Sequence, residues 1–389
     1  MRIGIVGAGH AGFEAAGAAS EAGADVVLFG REGCLPYYRP RLTAVAFGQA
    51  DAASLSIRPA EWYAARRIEL RPDAEVSEIA AAGPTVTSGG RNERFDALIL
   101  CAGAEPVRPP SAATAGRAVY SLWTLAHAHM LRSRVRAGEA MAIIGGGILG
   151  IEAALRAVNA GMQVTVIEMA ARLMPAQFGA RGSRVLQERL AVKGIRVLTE
   201  RVVTGFAPAE HDRVIFTLDN GLAVGPCLCL VSIGAAPCLA LAVAAGLKTD
   251  RGVLVNDALQ TSAPLVFAAG DVTQIGGITR CFVGEAVAQG RLAGANAVAA
   301  VRGEPRRAYA SRTQPLSFKY GDIELYAAGP PGGDAYEEHL LEGSSEAVVR
   351  QLIRRDGRLC GVQMIGTRLG FDDYLGQLQT LPARGDRNP

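Results

Sequence analysis

Two stretches of this chain carry three glycines at one spacing. The first, IGIVGAGHAGFEAA, begins at Ile3 and holds Gly7, Gly9 and Gly12. The second, AIIGGGILGIEAA, begins at Ala142 and holds Gly145, Gly147 and Gly150. The chemistry such a pattern performs is phosphate binding. The first glycine allows a tight strand-to-helix turn, the second lets backbone approach a pyrophosphate, and the third lets helix and strand pack closely. The helix N-terminus adds free N–H groups and a partial positive charge. Each copy runs on into a second apolar strand with an acid near its end: Glu32 in ADVVLFGRE and Glu168 in MQVTVIE. A carboxylate there accepts hydrogen bonds from an adenosine ribose. One glycine fingerprint also arises in turns without a ligand. Two copies, each in the order strand, helix, strand, acid, predict two dinucleotide sites.

The elements that must position these groups follow from the same repeat. A strand–helix–strand unit at each fingerprint implies an α/β chain with parallel sheets. A length of 389 residues suits two or three domains, with 49% apolar and 20% charged residues, an ordinary globular balance. A formal net charge of +3 shows no nucleic-acid footprint. The N-terminus MRIGIVGAGHAG reaches glycines too soon for a signal peptide. Residues 227–247, CLCLVSIGAAPCLALAVAAGL, carry no charge, but Gly234, Pro237 and Gly246 divide them into a strand, a loop and a short helix. No membrane span is expected. The seven cysteines include no C-x-x-C and no metal-ligand spacing. Reduced thiols in a cytoplasmic protein are the expectation.

Two more stretches fit a bound dinucleotide. Residues 95–106, FDALILCAGAEP, are a buried-strand pattern followed by small residues. Residues 265–272, LVFAAGDV, are an apolar strand ending in Gly270-Asp271. With GIVGAGHAG, LPYYRPRL, VTVIE and GEAVAQGRLAGAN, these resemble the FAD-dependent pyridine nucleotide–disulfide oxidoreductases over most of residues 1–300. The resemblance implies a Rossmann-like FAD domain at residues 1–113 and 245–314. It also implies an NAD(P)H domain at 114–244 and a small α+β C-terminal domain at 315–389. It places Gly7, Gly9, Gly12 and Glu32 at FAD, with Arg31 as the alternative occupant of the strand-end position. Arg39, Ala102, Gly103 and Asp271 join them, although Asp271 equally suits a helix cap. Gly145, Gly147, Gly150, Glu168 and Gly234 go to NAD(P)H. Glu152 would approach the nicotinamide, against the alternative of a solvated helix residue. Glu168 favours NADH over NADPH, because a carboxylate repels a 2′-phosphate.

GCLPYYRP raises a second chemistry. Dithiol members of this superfamily carry two cysteines with four residues between them, and Cys34 has no such neighbour. A single-thiol NADH oxidase, peroxidase or coenzyme A-disulfide reductase using Cys34 is one alternative. YYRPRL is more similar to rubredoxin and ferredoxin reductases, which pass electrons from NADH through FAD to a small carrier. In the rubredoxin reductase branch the lysine of LSFKY, here Lys319, would approach the flavin; a surface lysine is the other reading. A signalling flavoprotein resembling apoptosis-inducing factor is the third alternative.

Overall fold

The computed structural model describes residues 1–112, 118–310 and 313–379. The N-terminal apolar run forms strand Arg2–Val6, whose Ile3 and Ile5 are wholly buried. Burial on both faces suits an internal parallel strand. It pairs in parallel with Asp25–Phe29 on one side and Ala97–Leu100 on the other. Val266–Ala268 and Ile68–Arg71 complete a five-stranded parallel sheet. Helices His10–Glu21 and Val283–Val301 cover one face at very short range. A Cβ on Gly290 or Gly294 would lie 2.3 Å from the carbonyl oxygen of Ala11 or Ala15. The glycines of GEAVAQGRLAGAN therefore serve helix–helix contact. The far C-terminal part of the sheet's sequence thus returns to the N-terminal strands.

A second sheet of seven strands is built on the second fingerprint. Ala140–Ile144 lies between Gln163–Ile167 and Ala223–Val231, all parallel, and Arg196–Leu198 and Val119–Ser121 add further parallel pairs. Arg213–Leu218 and Val203–Ala209 extend it antiparallel. Residues 227–247 resolve as anticipated: the end of strand Ala223–Val231, short strand Ala235–Pro237 and helix Ala240–Ala244. Ala242 of that helix joins the core of the first sheet beside Val27, Leu98 and Val266. Among the described residues, no helix is long and apolar enough to cross a membrane.

A third sheet is antiparallel and five-stranded, with helix Phe371–Gln379 packed on it. Strands Val349–Arg355 and Arg358–Ile365 meet at the turn of the RDGR sequence, where Asp356 and Gly357 take φ of 50° and 70°. Positive φ at both central residues is the turn that matches the right-handed twist of a hairpin. The α/β architecture with two Rossmann-like units and a small α+β part is present. The expected division at 113/114 falls in residues 113–117, and the tail ARGDRNP within 380–389. Both lie outside the described residues. Ala104–Pro106 pairs antiparallel with Ala235–Pro237 and ties the first two regions together.

Candidate active site

The two glycine loops have nearly the same geometry. Gly7 and Gly145 take φ of +109° and +112°, and a Cβ on either would lie 2.1 Å from a carbonyl oxygen, of Cys101 or Ser232 respectively. A Cβ on Gly12 would meet Gly7 O at 1.8 Å, and one on Gly150 would meet Gly145 O at 2.1 Å. Only glycine fits such positions. Gly9 and Gly147 differ from these, because nothing lies within 4 Å of their Cβ positions. Each stands at the start of a helix of 12 residues with no side-chain cap. Their N-terminal amides are left for a ligand or solvent.

The first loop opens into a cavity of about 1200 Å³. Gly103, with φ +70° and open space at its Cβ, lies in its wall with Ala102. Asp271, at the end of the strand Val266–Ala268 segment, lines it too. Burial raises the Asp271 carboxyl to about 6, with Arg39 opposing the shift. His10, the first residue of the helix, has a buried Nε2 without a protein partner. Burial and the Arg39 charge lower its imidazole to about 4, so it is neutral at ordinary pH.

Arg39 is the centre of a clamp. Its Nη1 donates to the carbonyl of Trp123 and its Nη2 to Glu32 Oε1, both at 2.6 Å. Tyr37 donates its hydroxyl to Glu32 Oε2 at 2.6 Å. Glu32 lines the cavity, but both its oxygens already accept strong charge-assisted or phenolic hydrogen bonds. Its neighbour Arg31 stands in the cavity wall and is paired with Glu105 at 2.7 Å. Cys34 also lines the cavity, where burial and then Glu32 raise its thiol, against Arg39. A raised thiol is a poor nucleophile. Burial likewise raises the cavity-lining thiols of Cys101, Cys238 and Cys281.

Glu152, on helix Ile148–Asn159, reaches the same cavity from the second region. Thr43 donates to its Oε1 at 2.6 Å, and Arg156, one turn along the helix, pairs with it at 2.9 Å. The guanidinium of Arg156 also lies 5.0 Å from the ring centroid of Tyr320 in the third sheet. Glu152 is therefore a fixed, partnered residue rather than a solvated one. Glu168 closes the second loop: its Oε2 accepts from Gly146 N–H and its Oε1 from Ala170 N–H, both at 2.7 Å. Gly234 takes φ +110° with open space around its Cβ, and its carbonyl accepts from Val107 N–H at 2.9 Å.

Lys319 departs from the expectation that it approaches the flavin. Its side chain is 66% exposed, pairs with Glu324 at 2.5 Å, and does not line the cavity, which takes Ser317 and Phe318 from that strand. Lys319 sits directly opposite Glu324 on the neighbouring strand, which gives its ammonium a partner outside the cavity. Sequence reading missed His10, the Arg31–Glu105 pair and the Thr43–Glu152–Arg156 group. The position of His10 inside the first fingerprint was a usable signal. The other groups join residues 74 and 109 positions apart, which no local pattern reports.

Residues 1–304 match the family model described as pyridine nucleotide-disulphide oxidoreductase, and the chain belongs to that family. The assimilatory nitrate reductase electron transfer subunit of Bacillus subtilis (strain 168) is 28% identical over 88% of this chain, but over only 44% of its own length. The anthranilate 1,2-dioxygenase system ferredoxin–NAD(+) reductase component of Burkholderia cepacia is 35% identical, over 69% of this chain and 67% of its own. The chain in the crystal structure of the covalent putidaredoxin reductase–putidaredoxin complex is 27% identical. That match has a TM-score of 0.87 and covers 97% of this chain and 93% of the other.

Proposed function

We propose that this member of the pyridine nucleotide-disulphide oxidoreductase family is an FAD-dependent NADH:acceptor oxidoreductase. Its acceptor is a small electron-carrier protein of the ferredoxin or rubredoxin type. One observation carries the reading. Glu152, from the helix of the second glycine loop, lines the same cavity as Gly9 and Asp271 of the first region. A side chain from the second loop's helix in the first loop's cavity brings the reactive ends of two nucleotide sites within reach of each other.

The cavity fits a flavin dinucleotide. Its volume of about 1200 Å³ exceeds that of ordinary small-ligand pockets. The open space at Gly9 and the uncapped helix start suit a diphosphate, and the half-buried Asp271 carboxyl suits a sugar-alcohol hydroxyl. FAD, when bound, supplies hydride acceptance from a dihydronicotinamide and the return of electrons one at a time. The protein's own residues hold and orient. Gly7, Gly9 and Gly12 hold the diphosphate, Ala102 and Gly103 form the second backbone wall, and Arg39 fixes the loop edge through Glu32 and Trp123. Gly145, Gly147 and Gly150 hold the nicotinamide dinucleotide's diphosphate, with Gly234 flanking it. Glu152, kept in place by Thr43 and Arg156, orients the nicotinamide end.

Glu168 supports NADH as the preferred donor, because its carboxylate is pinned at the ribose end of the second loop. The ferredoxin and putidaredoxin reductases among its relatives support the carrier. The raised Cys34 thiol lends no support to a thiol enzyme. We further propose division of the chain at residues 1–113 with 245–314, 114–244 and 315–389. The unpaired state of all seven cysteines supports a cytoplasmic setting. Anaerobic titration with NADH tests the core of the reading: bound flavin is expected to bleach with one equivalent. Cytochrome reduction that depends on added ferredoxin or rubredoxin identifies the carrier, and its absence with every carrier would discard that acceptor class.

A further inference from the structure

The two nucleotide loops part company at the side chain that follows the second strand. After Gln163–Ile167 the chain places Glu168, a carboxylate. After Asp25–Phe29 it places Gly30 and then Arg31. Gly30 leaves no room for a side chain, since a Cβ there would lie 3.0 Å from Ala8 Cβ and 3.2 Å from Pro72 O. Arg31 is therefore the first side chain beyond the strand. In a strand–helix–strand unit this position faces the nucleoside beyond the pyrophosphate. Glu32, the acid one step further on, is turned into the Arg39 and Tyr37 clamp, with both oxygens engaged at 2.6 Å.

Arg31 is held by its edge. Its Nη2 donates to Glu105 Oε1 at 2.7 Å, and its Nη1 lies 3.9 Å from Glu75 Oε1. Both carboxylates line the same cavity as Arg31 itself. Glu105 belongs to strand Ala104–Pro106, anchored by its pairing with Ala235–Pro237. One hydrogen bond, to Glu105, and the nearby Glu75 carboxylate engage the guanidinium's terminal nitrogens; a guanidinium's faces are weakly hydrated and stack readily on π systems.

We propose that Arg31 is the specificity-determining residue for the adenosine half of the flavin dinucleotide. Its guanidinium, clamped at the rim by Glu105, presents a face to the adenine ring. The second loop keeps a carboxylate, Glu168, at this place, held by main-chain amides of its own loop, whereas the first presents a cation. This assignment rests on the FAD reading of the cavity. It goes beyond that reading by assigning one side chain to the adenine ring, which FAD has and FMN lacks.

The test uses purified holoprotein, its FAD release rate, and rebinding of FAD and of FMN to the stripped protein by flavin fluorescence. Arg31→Ala is expected to weaken FAD about tenfold and to leave FMN unchanged. Arg31→Lys keeps the charge without the plane, so it is expected to restore little of the loss. Glu105→Gln, which loosens the clamp without touching Arg31, is expected to give a smaller loss confined to FAD. Unchanged FAD affinity in Arg31→Ala, or equal loss of FAD and FMN, overturns the assignment. Full rescue by Arg31→Lys overturns the stacking geometry. A wild-type stripped protein that binds neither flavin overturns the FAD reading itself, and Arg31's role with it.

Discussion

At Gly7 and Gly145 the backbone makes the same turn for the same reason: a carbonyl stands where any Cβ would be. Gly12 and Gly150 repeat the correspondence one helical turn later. Beyond the second strand the two regions differ. Glu168 is bound to main-chain amides of its own loop, while Glu32 is drawn off by Arg39 and Tyr37. The first loop also faces a large cavity lined by the half-buried Asp271, whereas the glycines of the second loop lie outside that cavity. The difference teaches that the glycine fingerprint specifies a diphosphate cradle and nothing about which nucleotide occupies it. The side chains around the two cradles differ: Arg31, Glu105 and Asp271 line the cavity at the first, and Glu168 stands at the second.

The largest effect comes from filling one cradle at a time. Gly12→Ala forces a methyl onto Gly7 O and is expected to cost more than about 3 kcal/mol, giving protein purified without flavin. Gly150→Ala makes the same clash in the other loop and is expected to keep flavin while losing its anaerobic reduction by NADH. Absorbance of the purified proteins and stopped-flow reduction distinguish them, and a reversed pattern would break the assignment of the two loops.

Next is Asp271, which has no counterpart in the second loop. Its folded-state pKa of about 6 lies above the ordinary aspartate value of about 3.9. The native state therefore holds a proton that the unfolded state releases, and stability falls as pH rises through this window. The contribution is fully present below about pH 4 and lost above about pH 6, amounting to about 3 kcal/mol. Asp271→Asn removes that slope. Urea melts of the flavin-free proteins across this range check it, and parallel curves for the two proteins would contradict the burial of a lone carboxyl.

A smaller effect is expected at the second loop. Glu168→Gln keeps the hydrogen-bond acceptor toward Gly146 but removes the charge. The ratio of kcat/KM for NADH over NADPH is expected to fall about tenfold, which is about 1.4 kcal/mol. An unchanged ratio would show that the second loop, like the first, reads its nucleotide through some other residue. The smallest effect belongs to Cys34→Ser, expected to change flavin reduction and acceptor turnover by less than about twofold. Loss of acceptor turnover with flavin reduction intact would restore the thiol chemistry at the first loop.

Legibility followed sequence distance. Both glycine cradles, the Asp271 turn and the RDGR hairpin were readable because each is a local pattern with a steric reason. Glu152 was visible as the residue two positions past Gly150, but its fixing by Thr43 was not. Lys319 stands outside the cavity although Ser317, two residues earlier on the same face, lines it: how far along a strand a cavity reaches is set by packing between distant segments. Spacing in the sequence speaks against a redox role for Cys34, and burial and the neighbouring Glu32 raise its thiol in the same sense.

The sequence by itself determined two strand–glycine–helix cradles, a split first region and a family, because main-chain geometry at glycine is dictated within a few residues. Only the tertiary structure decided that Glu32 serves Arg39, that Arg31 meets Glu105, and that Glu152 enters the first loop's cavity. Those are pairings of charges and hydrogen bonds between distant segments. A buried or half-buried charge takes whichever partner the packed elements bring to it, and that choice is made when the sheets close on one another.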